Sequence, residues 1–145
     1  MKKNIYLSLM ILCVIFIYGN SLLSADISSA QSGFVLKFVQ KILEAIGLPP
    51  ALITEYIIRK LAHFCEYALL GFLASTTAQL WYGRLRPRIF MILFWGLFIP
   101  VTDEFLQLFV DGRVASVQDI VLDFSGFIFG MMIRIGSTRN QPGLE

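Results

Sequence analysis

Four stretches of the chain are long, apolar and nearly free of charge, and each reads as a membrane-spanning helix. They run over 4–25, 61–81, 89–110 and 117–135. A helix needs about 20 mostly apolar residues to cross the hydrocarbon core. The segment 33–47 has a different pattern, the helical period of an amphipathic element. Phe34, Val35, Phe38, Val39, Ile42, Leu43 and Ile46 share one face, and Lys37, Gln40, Lys41 and Glu44 share the other. Ser32 is the expected N-cap, and Gly47 with Pro49 and Pro50 ends the helix. Such a helix lies in the outer interface plane or packs over the mouth of the bundle, and the pattern admits both. Asp111, Gly112 and Arg113 predict a turn between the last two spans. Pro100 predicts a kink in the third. The expected fold is all-α: a polytopic membrane helical bundle of four transmembrane helices plus one amphipathic interfacial helix, in a single membrane domain over 1–145.

Composition narrows the class further. Of 145 residues, 57% are hydrophobic and 15% charged, where soluble domains carry roughly 25% charged residues. A chain this small has too much surface to hide that apolar excess from water. A water-soluble enzyme is therefore disfavoured. The net charge of +2 is too small to suggest a nucleic-acid partner. Membrane lipids are the partners that the composition implies, and it leaves the oligomeric state open. Cys13 and Cys65 lie inside apolar runs, with neither a disulfide framework nor a zinc spacing. Both are expected to be buried and inert. Lys2 and Lys3 before an apolar run also have the outline of a signal peptide. Leu23 stands where cleavage near Ala25 would need a small residue, so an uncleaved anchor is favoured.

Orientation follows from lysine and arginine. With the N-terminus inside, Lys2, Lys3, Arg84, Arg86, Arg88, Arg134 and Arg139 are cytoplasmic, against Lys37, Lys41, Arg59, Lys60 and Arg113 outside. The short loop 83–88 carries three of the inner arginines. Both termini are thus expected in the cytoplasm. Trp81 and Tyr82 then stand at the inner interface, as belt aromatics do.

The ionisable residues inside the spans are the informative ones. A charge at mid-membrane costs about 2.5–3.5 kcal/mol on insertion scales, so its presence suggests function. The candidates are His63 and Glu66 in the second span, Asp103 and Glu104 in the third, and Asp119 and Asp123 in the fourth. At 1.5 Å rise per residue, His63 and Glu66 lie about 6 and 10 Å inward from Arg59, and Asp103 and Glu104 about 10 Å inward from Val110. Asp119 and Asp123 lie about 4 and 10 Å inward from Ser116. Every group falls in the outer half. Arg59, His63 and Glu66 share a stripe with Leu70, while Lys60, His63 and Tyr67 share another. Asp103 and Gln107 face one way. Ser116, Asp119 and Asp123 continue through Gly126 and Gly130, a small-xxx-small pattern. The simplest account is an outward-opening polar pocket. Its acid–base candidates are His63, Glu66, Asp103, Glu104, Asp119 and Asp123. Its ligand-binding candidates are Arg59, Lys60, Tyr67, Gln107, Arg113 and Ser116.

The alternative is a non-catalytic scaffold in which these groups only pair across helices. Hydrogen bonds between membrane helices average about 0.6 kcal/mol in double-mutant cycles, and buried ion pairs stabilise less than apolar packing. So large a network is an inefficient glue. The donor set of one imidazole and five carboxylates also admits an oxygen-ligated divalent cation. No fixed-spacing metal signature accompanies it, so a metal is not favoured. No nucleophile elbow, Walker loop or metalloprotease motif is present, and whether the chain is an enzyme stays open.

Arg59, Lys60, His63, Glu66, Tyr67 and Gly71, followed by Asp103, Glu104, Gln107, Gly112, Arg113, Asp119, Asp123, Gly126 and Gly130, resemble in order and spacing the motifs of VanZ-like membrane proteins. The likeness covers 59–130. The proline that often precedes Gly-Arg in that family is Asp111 here, which affects only the loop. The resemblance implies a small helical protein of the bacterial inner membrane with a cell-envelope role. The name-giving member is associated with resistance to teicoplanin-type glycopeptides. On that basis a lipid-linked envelope precursor or a glycopeptide is the expected ligand. The resemblance implies no reaction, cofactor or catalytic residue.

Overall fold

The computed structural model describes residues 1–139, with side chains to 137. The Arg139 side chain, counted above among the inner charges, and residues 140–145 of the expected domain lie outside the described residues. Five helices follow one another: α1 (Lys2–Ser21), α2 (Ala25–Ala45), α3 (Glu55–Tyr82), α4 (Ile89–Gln107) and α5 (Val117–Arg139). Short 3₁₀ turns at Pro50–Leu52 and Arg86–Arg88 lead into α3 and α4. No strand occurs among the described residues.

α3 is the axis of the bundle, with α5 and α1 against it along its length and α2 and α4 completing the wrap. Its start is capped by the Thr54 hydroxyl, which accepts from the Ile57 amide at 3.4 Å. The core lies where α1, α3, α4 and α5 meet, around Ile17, Tyr67, Leu70, Ile92 and Phe127. Tight contact between α3 and α5 depends on glycine. A Cβ at Gly71 would stand 2.0 Å from the Phe127 carbonyl oxygen, and one at Gly126 would stand 2.5 Å from the Phe64 oxygen. The small-residue stripe therefore lets two backbones touch.

Among the described residues three helices, not the expected four, are long and apolar enough to cross a membrane: Lys2–Ser21, Arg86–Gln107 and Val117–Ser137. The stretch 61–81 falls short. It sits in the central helix, which carries His63, Glu66, Ser75, Thr76 and Thr77 toward its neighbours and leaves a stripe with Leu61, Cys65 and Leu69 exposed. The outer helices show the opposite balance. Phe90 is 84% exposed and Phe16 58% exposed. Apolar surface this continuous does not face water in a stable monomer.

The amphipathic helix starts eight residues earlier than expected. Ser32 is not its N-cap. Ser32 lies buried within α2, its hydroxyl donating to the Ser28 carbonyl at 2.8 Å, and Ser24 is the cap position. The small polar residues Ser28 and Ser32 face the bundle, whereas Phe34, Phe38, Ile42 and Ile46 point away from it. Gly47, with φ of 76°, ends the segment as expected. Cys13 is buried, but Cys65 is exposed. A position inside an apolar run of a membrane helix is shielded by lipid or by protein, and the run alone does not say which.

Candidate functional site

The polar cluster is assembled at one end of the bundle, where α1, α4 and the turn before α5 meet. Gly112, with φ of 73°, makes the turn at Asp111–Arg113. The Asp111 carbonyl accepts from the Ala25 amide at 3.3 Å, which pins the start of α2 to this turn. Arg113 reaches back over the end of α1. Its Nε donates to the Leu23 carbonyl at 3.2 Å and its Nη2 to the Asn20 carbonyl at 3.4 Å. A guanidinium suits the negative end of a helix dipole.

At the centre stand His63, Asp103 and Asp123. One donor atom from each lies within 4.8 Å of the other two. His63 Nδ1 is 3.5 Å from Asp123 Oδ2. Asp103 and Asp123 are each wholly buried. Neither carboxylate accepts a hydrogen bond from a described residue. The Ser21 and Tyr67 hydroxyls flank Asp103 without hydrogen-bond geometry; Ser21 instead accepts from Gln107 Nε2 at 3.3 Å. Glu66 borders this centre, and its Oε1 accepts from Asn20 Nδ2 at 3.1 Å.

The remaining candidates form an outer ring with other partners. Lys60 is ion-paired to Asp119 and lies 5.1 Å over the Tyr56 ring. Glu104, nearly inaccessible, accepts from the Ser116 amide at 2.8 Å and from Gln107 Nε2 at 3.2 Å. The Ser116 hydroxyl accepts from the Gln118 amide at 3.2 Å, as an N-cap of α5 does. Tyr67 is fully buried, deep in the core.

A cavity of about 330 Å³ opens beside the cluster, under α2. Arg59, Arg113, His63 and Glu66 line it together with Asn20 and Ser32. Arg59 forms no ion pair among the described residues. Burial first, and then the neighbouring Arg59 charge, hold the Arg113 guanidinium below its usual pKa. Two cations therefore line one cavity, together with Glu66, and neither is ion-paired to a carboxylate among the described residues. A larger cavity of about 460 Å³ separates α1 from α4, but Leu7, Val14, Ala74, Met91 and Trp95 make it apolar and it touches none of the cluster.

Tyr18, Asn20 and Ser21 of α1 belong to this network, and the sequence reading passed over them. Tyr18 shares a hydrogen bond of 2.6 Å with Thr102. The available signal was polar residues closing an apolar run, at the same depth as the carboxylates. α1 consequently contributes side chains to the site.

The bundle with apolar outer faces and a buried polar cluster defines a helical membrane protein. The profile of the VanZ/LLP1 family matches residues 5–136, and the chain belongs to that family. The match extends well beyond the motif core at 59–130 and takes in α1 and α2. No curated protein and no solved structure matches the chain.

Proposed function

We propose that this chain is a multi-pass protein of the bacterial inner membrane that holds the anionic head group of a lipid-bearing envelope compound in the cavity under α2. The observation that carries the reading is the pair Arg59 and Arg113 lining one cavity, neither of them ion-paired to a carboxylate among the described residues. Arginine's planar fork suits phosphate or carboxylate in two-point contact. Arg113 has five N–H donors, and only two of its nitrogens donate to backbone carbonyls. α2 turns Phe34 and Phe38 away from the bundle, so lipid tails have an apolar surface beside the cavity. The outer ring around Glu104, Gln107 and Ser116 holds the helices in register, and there the scaffold alternative is the better description.

In this reading α3 crosses the membrane inside a collar of α1, α4 and α5, which supply the apolar surface it lacks. Both termini are cytoplasmic. Lys3 lies 5.9 Å over the Trp81 ring and Arg88 4.5 Å over the Tyr82 ring, which gathers inner-side charges and belt aromatics at one end. In a chain whose Cys13 and Cys65 are replaced by alanine, a cysteine at Asp26 should react with a membrane-impermeant maleimide from outside. One at Arg86 should react only after permeabilisation. The opposite pattern would invert the topology.

The envelope effect expected from the family resemblance is reduced susceptibility to teicoplanin relative to vancomycin. Arg59→Gln is the cleaner probe of the pocket, because Arg59 holds no other element in place, while Arg113 also caps α1. One charge-assisted hydrogen bond is worth about 1.5–3 kcal/mol, so head-group binding should weaken roughly 10–150-fold. The measurement is susceptibility of a Gram-positive host expressing wild type, Arg59→Gln or Arg113→Gln at matched membrane levels. Equal susceptibility with and without wild type would remove the resistance reading, and an equal effect from all three chains would detach it from the cavity.

A further inference from the structure

We infer that His63, Asp103 and Asp123 form a binding site for one divalent metal ion, at the inner end of the polar cluster. Three observations converge on it. A donor atom from each residue lies within 4.8 Å of the others, and small rotations bring such a set to metal–ligand distances of about 2.0–2.2 Å. Both carboxylates are wholly buried and accept no hydrogen bond from a described residue. His63 Nδ1, also buried, has no hydrogen-bond partner either, although it stands 3.5 Å from Asp123 Oδ2.

Charge balance favours a cation here. Buried carboxylates are paired, neutralised or bound to metal. Lys60 is committed to Asp119 and Arg113 to backbone carbonyls, so no lysine or arginine among the described residues pairs with Asp103 or Asp123. With the imidazole neutral and both aspartates ionised, as metal ligation requires, the trio carries two negative charges, which a divalent ion cancels. The aim of the three side chains is set by separate elements. Gly126 lets α5 approach the Phe64 backbone, next to His63, and Pro100 lies one turn before Asp103 on α4.

The donor set selects the kind of ion. Imidazole nitrogen suits zinc-type ions, and carboxylate oxygen suits manganese and magnesium. One nitrogen with two oxygens fits Zn²⁺ or Mn²⁺ better than Ca²⁺, which takes six to eight oxygens. Three protein ligands also leave coordination positions open, as in sites where a metal meets a ligand or water. His63 lines the cavity under α2 as well, so the ion would stand next to the head-group position. Metal binding rests on the three donors alone and holds whether or not that cavity takes a lipid.

The test uses the full chain purified in detergent, stripped with chelator, then titrated separately with Zn²⁺, Mn²⁺ and Ca²⁺. Wild type should bind one Zn²⁺ or Mn²⁺ per chain and Ca²⁺ more weakly. Losing an outer-shell partner typically weakens metal affinity about 10–100-fold, and Asp123→Asn, which removes a ligand, should cost at least as much. Glu44→Gln, at an exposed carboxylate of α2 outside the cluster, should bind as wild type does. Circular dichroism establishes that each variant is helical. Should the aspartate variants not accumulate, electron spin echo spectra of the Mn²⁺ form decide. Nitrogen coupling present in wild type and lost in His63→Gln supports the site. No stoichiometric metal in wild type, unchanged affinity in Asp123→Asn, or bound Mn²⁺ without nitrogen coupling would each overturn it.

Discussion

Gly130→Ala should severely destabilise the folded bundle, although it adds one methyl group. A Cβ at Gly130 would stand 1.7 Å from the Ala68 carbonyl oxygen, 2.6 Å from its carbon and 2.9 Å from the Phe72 nitrogen. All three are backbone atoms, which cannot swing aside as a side-chain tip does. Overpacking usually costs about 1–3 kcal/mol where side chains adjust. Here α3 and α5 must separate, so the loss should lie at or above the top of that range. Helices in lipid gain their association from such close packing. Separation would also draw Asp123, two turns earlier on α5, away from His63. Gly19→Ala is the matched control, since nothing lies within 4 Å of its Cβ and alanine is the better helix former by about 1 kcal/mol. Thermal unfolding in detergent, followed by size-exclusion chromatography, measures both. A Gly130→Ala protein that melts with wild type would refute the close α3–α5 contact.

The same contact shows how much of the fold can be read from the chain. Gly126 and Gly130 stood out because they continue the stripe of Asp119 and Asp123 at helical spacing. The outer faces of α1, α4 and α5 are equally legible, because they are predominantly apolar. Legibility fails where neighbouring helices cover the polar face of a helix. α3 carries too many inward polar groups to pass as a span on composition, since its neighbours do the shielding. The first two turns of α2 look like a loop for a related reason: Ser28 and Ser32 turn toward the bundle and bear no apolar period. Cys65 shows the reverse limit, an apolar neighbourhood in sequence that is an exposed surface in the fold. Within the site, equal depth brought the right helices together but merged two layers. Asp103 and Glu104 are adjacent, so the 100° step of the helix aims them apart. Asp103 turns toward His63 and Asp123, and Glu104 toward the turn before α5. Only the fold separates a candidate ion site from a structural pin.

That distinction predicts a second large effect. Glu104→Ala should destabilise the bundle severely, while the same change at exposed Glu44 should have little effect. Glu104 is 2% exposed, and its two oxygens accept from the Ser116 amide at 2.8 Å and from Gln107 Nε2 at 3.2 Å. Alanine leaves the part-buried Ser116 amide without its acceptor and Gln107 Nε2 with Ser21 alone, at about 1–3 kcal/mol for an unsatisfied group. The Ser116 carbonyl accepts from the Asp119 amide at 3.0 Å, opening α5, so the loss reaches the first turn of that helix. A carboxylate at this point also complements the positive end of the α5 dipole, typically by about 0.3–1 kcal/mol. Glu104→Gln retains one acceptor oxygen but turns an NH₂ group toward a donor, so it should fall between alanine and wild type. Hydrogen exchange at residues 116–120 and unfolding in denaturant measure the loss. If Glu104→Ala were as stable as Glu44→Ala, the pin would be refuted. A phenotype lost on Glu104 substitution accordingly reports a lost fold, whereas Arg59, which no other element depends on, reports the cavity itself.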